Sequence, residues 1–102
     1  MTLGELIRFL EAQDPALRLP MGFHYPHSYR GYYHNLAFEP TADVSIGEML
    51  ASARSALGRT FGGYKGGEFV MGEHTDVWLA EYGSCGEGLG RYLLEAWIRN
   101  AV

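Results

Sequence analysis

The sequence predicts an α+β fold in the order helix, strand, strand, helix, strand, strand, helix: an antiparallel sheet with helices packed on one face. Two observations carry most of this. The tetrads Thr2–Glu5 and Ser45–Glu48 both read as capping boxes, and each opens an apolar pattern of helical spacing. The stretches between the helical ones are rich in rings and alternate apolar with polar residues, as half-buried strands do. Strands that come in pairs between helices favour antiparallel pairing.

After Thr2 the first helix presents Leu3, Leu6, Ile7 and Leu10, and Pro15 is expected to stop it after Asp14. In "ALRLPMGFHY", Leu17, Leu19, Met21 and Phe23 alternate with Arg18, Pro20, Gly22 and His24. Pro20 has no N–H for a ladder, so an edge strand or a bulge is expected there. "YYHNLAFEP" reads as the second strand, with Leu36 and Phe38 on one face and "PHSYRG" as the connection before it. The second helix shows Ile46, Met49, Leu50, Ala53 and Leu57 on one side and ends near Gly58. "EFVMG" and "DVWLAEYG" look like strands of a hairpin joined by "EHT". Leu89, Tyr92, Leu93, Ala96 and Trp97 recur at helical spacing toward the end of the chain. Leu94 and Ile98 form a neighbouring stripe, which suggests a second partner for that helix and hence a homo-oligomer.

With 102 residues, 47% of them apolar, the chain is expected to be one domain, residues 1–102, with its own core. Eight Lys and Arg against twelve acids give a net charge of −4, which disfavours nucleic acid as a partner. The single cysteine, Cys85, rules out an intrachain disulfide framework and fits a reducing cytoplasm. The opening residues lack the pattern of an export signal, and no apolar run suits a membrane span.

Two segments concentrate the chemistry. "YPHSYRGYYHN", Tyr25 to Asn35, holds four tyrosines, two histidines and an arginine. Arg30 offers a planar fork for phosphate or carboxylate, and Tyr25, Tyr29 and Tyr32 offer rings for a base or sugar. His27 and Ser28 are candidate hydrogen-bond donors to the same ligand. In "GGYKGG", Lys65 with Gly66 and Gly67 could point an ammonium and backbone N–H groups at an anion, with Tyr64 as a further ring. The bland alternatives are a sheet covered by tyrosines, with Arg30 over one of them, and a flexible glycine linker.

Other chemistries find less support. Lys65 is followed by Gly66 rather than Ser or Thr, so the phosphate-loop pattern of nucleoside triphosphatases is not met. His24, His27 and His34 match no zinc spacing, and no metal or cofactor is expected. Ser28 beside His27 and Cys85 in "GSCGEG" are candidate nucleophiles, but neighbours on a strand point apart and Cys85 reads as a turn residue. No catalytic residue is assigned.

"SYRGYYHNLAFEP", "GYKGGEFVM" and "TDVWLAEYGSCGEG" together resemble a family of short bacteriophage proteins of unassigned activity, over about Gly22 to Glu87. The resemblance implies a viral accessory protein acting in the host cytoplasm, and it implies no catalytic residue. With the ring and cation content, it leads to the expectation of a protein that sequesters a small anionic, nucleotide-like host immune signal. A small phosphoesterase of such ligands and an inhibitor docking its aromatic patch on a host protein are the alternatives.

Overall fold

The computed structural model describes residues 1–101 and has the α+β class expected. Its elements are α1 (Leu3–Glu11), β1 (Arg18–Ser28), β2 (Leu36–Ser45), α2 (Ile46–Ala56), β3 (Thr60–Gly62), β4 (Glu68–Val70), β5 (Val77–Leu79), β6 (Glu87–Gly88) and α3 (Arg91–Arg99). Both capping boxes form. Thr2 Oγ1 accepts the Glu5 N–H at 3.2 Å while Glu5 Oε1 accepts the Thr2 N–H at 2.8 Å. Ser45 and Glu48 repeat the exchange at 3.1 and 3.2 Å. α1 ends at Glu11, before the expected stop, and Asp14 Oδ1 then accepts the Ala16 N–H in a turn around Pro15.

The main sheet has the strand order β1-β2-β5-β6. β1 and β2 are antiparallel from Arg18↔Ser45 to Ser28↔Leu36. Pro20 lies on this edge strand, as its missing donor requires. Pro40 is tolerated in β2 because β5 pairs only with Leu36–Phe38, so that part of β2 has one neighbour. Tyr25 bulges out of β1 with φ +50°, between His24 and Pro26.

Three sequence expectations are corrected. β1 continues to Ser28 and β2 starts at Leu36, so the connection is 29–35 rather than "PHSYRG". The hairpin across "EHT" does not form: β4 pairs with β3, and β5 runs parallel to β2. The cause lies in the segment between them, which is tied to the start of the chain. Leu3 N–H donates to Thr75 O at 2.7 Å, Gly4 N–H to Glu73 O at 2.9 Å, and Val77 N–H to Met1 O at 3.1 Å. These bonds deliver β5 to the side of β2, and β4 folds back on β3 across the glycine loop. Third, α3 starts at Arg91, so Leu89 lies before it, and its buried stripe is Leu94 and Trp97 rather than one through the exposed Tyr92; Leu93 and Ile98 pack partly against the same core.

Leu36 and Phe38 of β2 face the helices together with Val77 and Leu79, against Leu6, Leu10, Ile46, Met49 and Leu94. Phe23 and Phe38 meet at 4.4 Å between ring centroids, and truncating a buried ring of this kind costs about 3–5 kcal/mol. The register puts His27, Ala37 and Trp78 side by side on the opposite face. No helix covers them; Tyr29 does, with Ala37 and Ala80 in a small cluster of their own. Among the described residues no helix is long and apolar enough to cross a membrane.

Candidate functional site

Three loops meet at one end of this helix-free face: the 29–35 connection, the 63–67 turn and the 80–86 connection after β5. Arg30 joins them. Its guanidinium lies 4.6 Å from the centre of the Tyr64 ring and donates to Gly83 O. Tyr64 in turn meets Tyr82 at 6.1 Å, and Tyr82 lies edge-on to His27 at 5.1 Å. Farther along, Tyr33 and His34 pack on Phe69 of β4 at 5.6 and 4.8 Å. The tyrosine-rich segment and the glycine–lysine segment therefore do come together in space.

The glycine segment is neither a linker nor an open cradle. It is the tip of the β3–β4 hairpin. Gly66 N–H closes the turn on Gly63 O at 3.0 Å, and Gly63 N–H bonds Gly67 O at 3.0 Å. Gly66 and Gly67 take φ +102° and +86°, a region costly for other residues. Tyr64 and Lys65 occupy the centre of the turn, both exposed. Lys65 thus stands beside Arg30's partner ring with its ammonium in solvent.

The candidates from the first segment separate into two groups. Arg30 and Tyr32 are exposed and Tyr32 leans on His34 at 5.3 Å. His27 and Ser28 are buried because β1 is longer than the sequence suggests, and Tyr29 because it folds back onto the sheet face. Both ring nitrogens of His27 face carbonyl oxygens, Nε2 to Ala80 O at 2.9 Å and Nδ1 to Ser28 O at 3.1 Å. Ser28 Oγ donates to Tyr33 O at 2.6 Å. Tyr29 lies flat on Trp78, 4.4 Å between centroids and 8° between planes, and its hydroxyl accepts the Gly86 N–H at 3.4 Å. These three side chains build the platform beneath the patch and have no polar atom aimed at a ligand. The stack even leaves Trp78 Nε1 buried without a hydrogen-bond partner. Tyr25 belongs elsewhere: it packs on His24 at 4.4 Å, and His24 Nδ1 accepts from Tyr25 N–H and lies 3.1 Å from Ser52 Oγ of α2.

Sequence reasoning missed the third loop. Gly83, at φ +84°, is packed so closely that a Cβ would stand 2.7 Å from Tyr64 Cε2. Gly86 is tighter still, with a Cβ position 1.9 Å from Leu79 O. The signal was present: "EYGS" sets a ring beside a glycine just as "GGYK" does.

Arg8, Arg18, Arg54 and Arg91 each have a carboxylate partner, whereas Arg30, Arg59, Lys65 and Arg99 make no ion pair among the described residues. Of these four, Arg59 lies over the Phe61 ring, and Arg30 is held both by a ring and by a carbonyl. Arg30 is thus a positioned, un-neutralised cation in a chain of net charge −4. Two cavities, of about 490 and 260 Å³, lie between α1 and α3 and share no lining residue with the patch. Among the described residues no three His, Cys, Asp or Glu side chains gather as metal ligands would. Comparison with protein-family models, with curated proteins and with solved structures finds no match to this chain.

Proposed function

We propose that the chain captures a small anionic ligand bearing a planar ring, a phosphorylated nucleotide-type molecule, and holds it without transforming it. In the same reading it is a bacteriophage accessory protein that withdraws a host immune signal in the bacterial cytoplasm. The observation that carries the proposal is Arg30. A guanidinium fixed by a ring and a carbonyl, with no acid opposite, is prepared for an incoming phosphate, and the fixing removes part of the ordering cost of binding. Lys65 supplies a second positive charge, and the exposed faces of Tyr64, Tyr82 and Tyr32 supply stacking surface.

A second reading, an inhibitor that docks on a host protein, draws on the exposure of the same rings: Tyr32 is 58%, Tyr64 44% and Tyr82 56% accessible. Arginine and tyrosine standing out of a surface are also the makeup of a protein–protein hot spot. The deciding experiment incubates the purified protein with a panel of phosphorylated nucleosides. Native mass spectrometry then reads bound mass and number of copies, and the ligand is re-analysed after denaturation. Capture requires a bound nucleotide recovered chemically unchanged. Turnover would establish the phosphoesterase, and an empty protein that retains a host protein would establish the inhibitor.

A further inference from the structure

We propose a second ligand site, in the groove between α1 and α3, for an organic anion with an apolar body: an aryl or alkyl carboxylate or sulfonate. The two adjoining cavities there, about 490 and 260 Å³, share Phe9, Gln13 and Arg91 and so form one groove of ligand size. Its walls are one stripe of α1 with the turn that follows it, from Glu5 to Gln13, and one of α3, from Arg91 to Arg99. Helical walls are rigid, and Phe9 and Ile98 are backed by the hydrophobic core. They offer an apolar floor that neither covers completely.

The charges around that floor favour an anion. Arg91 lies over the Phe9 ring at 5.4 Å, and its only acid partner is Glu95 at a long 3.9 Å. At the other end Arg8 reaches Glu73 at 3.4 Å, with both side chains largely exposed. Exposed pairs of this kind are weak, so either guanidinium can turn to a ligand's head group at small cost. Glu5 also borders the groove; its carboxylate accepts the Thr2 N–H, the bond that holds its pKa below the ordinary value and keeps it charged. Glu5 and Glu95 are set against Arg8, Arg91 and Arg99, so cations still outnumber acids along the groove. A ring or chain resting on Phe9 and Ile98, with its acid group between Arg91 and Arg8, satisfies both surfaces.

The test uses naphthoate and its uncharged analogue naphthalenemethanol, titrated into the full chain and followed by amide NMR. Naphthoate is expected to saturate, with the largest shifts at Phe9, Ala12 and Arg91. The alcohol should bind at least about tenfold more weakly, the share of a charge-assisted bond. Arg91→Gln, at an exposed position, should weaken naphthoate about tenfold and leave the alcohol and the melting temperature unchanged, and Arg8→Gln should act in the same direction. Arg30→Gln should alter none of this, which separates the groove from the tyrosine patch. The proposal is overturned by the absence of saturable shifts up to about 1 mM, by equal affinity for acid and alcohol, or by shifts centred outside the groove. Shifts of the same amides with protein concentration alone would also overturn it, because a second copy would then fill the groove.

Discussion

Tyr29 and Tyr32 are three residues apart and chemically identical, yet they should respond to truncation in opposite ways. Tyr29 is only 6% exposed, lies flat on Trp78 and covers Ala37, whereas Tyr32 is 58% exposed. Tyr29→Ala removes a buried ring together with its stack, for which truncation typically costs about 3–5 kcal/mol. In a domain of 102 residues, 1 kcal/mol corresponds to a melting shift of about 4–8 °C, so even the lower figure lowers the melting point by about 12–24 °C. Tyr32→Ala should cost less than about 0.5 kcal/mol. Tyr29→Phe keeps the ring and loses only a long 3.4 Å bond from Gly86 N–H, so it should cost about 1 kcal/mol at most. Urea unfolding of the three variants, read by circular dichroism, supplies the comparison. A Tyr29→Ala cost below about 1 kcal/mol, or equal to that of Tyr32→Ala, would refute the assignment of Tyr29 to the platform.

Further outcomes follow from the same geometry. Gly86→Ala would drive a Cβ to 1.9 Å from Leu79 O, so the backbone must move; a loss of more than about 3 kcal/mol in urea unfolding is expected. His27→Ala removes a buried ring whose N–H donates to Ala80 O or Ser28 O and which meets Tyr82; it should cost about 2–4 kcal/mol while the exposed Lys65→Ala costs under about 0.5. Glu48 is held below its ordinary value of 4.5, first by the Ser45 backbone N–H, so its charged form is favoured in the folded chain. A depressed folded value means that this contribution is complete above 4.5 and is lost as pH falls through the lower folded value. Glu48→Gln, which can keep the cap but not the charge, should therefore flatten that part of the acid limb of stability against pH, and an unchanged limb would contradict it.

The fold was legible wherever one local pattern decided the outcome. Thr2 with Glu5 and Ser45 with Glu48 announced α1 and α2, and Pro20 announced an edge strand, because caps and missing donors act within a few residues. Pairing between strands was not local. "EFVMG" and "DVWLAEYG" look like neighbours, but the bonds from Leu3, Gly4 and Val77 to residues far away in sequence reassign them. The candidate site divides along the same line. That Arg30, Tyr64 and Lys65 are exposed polar and ring groups in turns could be read from glycines and charge. That His27 and Ser28 lie in the sheet and Tyr29 packs on its face could not, since a strand end is fixed by its partner, here Leu36 opposite Ser28. Tyr82 and Gly83 escaped notice because their part depends on contact with Arg30 and Tyr64 across the chain.

The central claim is that Arg30 waits, positioned and un-neutralised, for an anion. The most direct test titrates adenosine monophosphate into the wild-type chain and into Arg30→Gln, with amide NMR to locate the contact and urea unfolding to check the fold. The account predicts saturable shifts around Arg30, Tyr64 and Tyr82, a loss of about 1.5–3 kcal/mol of binding in the variant, and nearly unchanged stability. Equal binding by both proteins, or a variant that fails to fold, would show that Arg30 serves the loops alone.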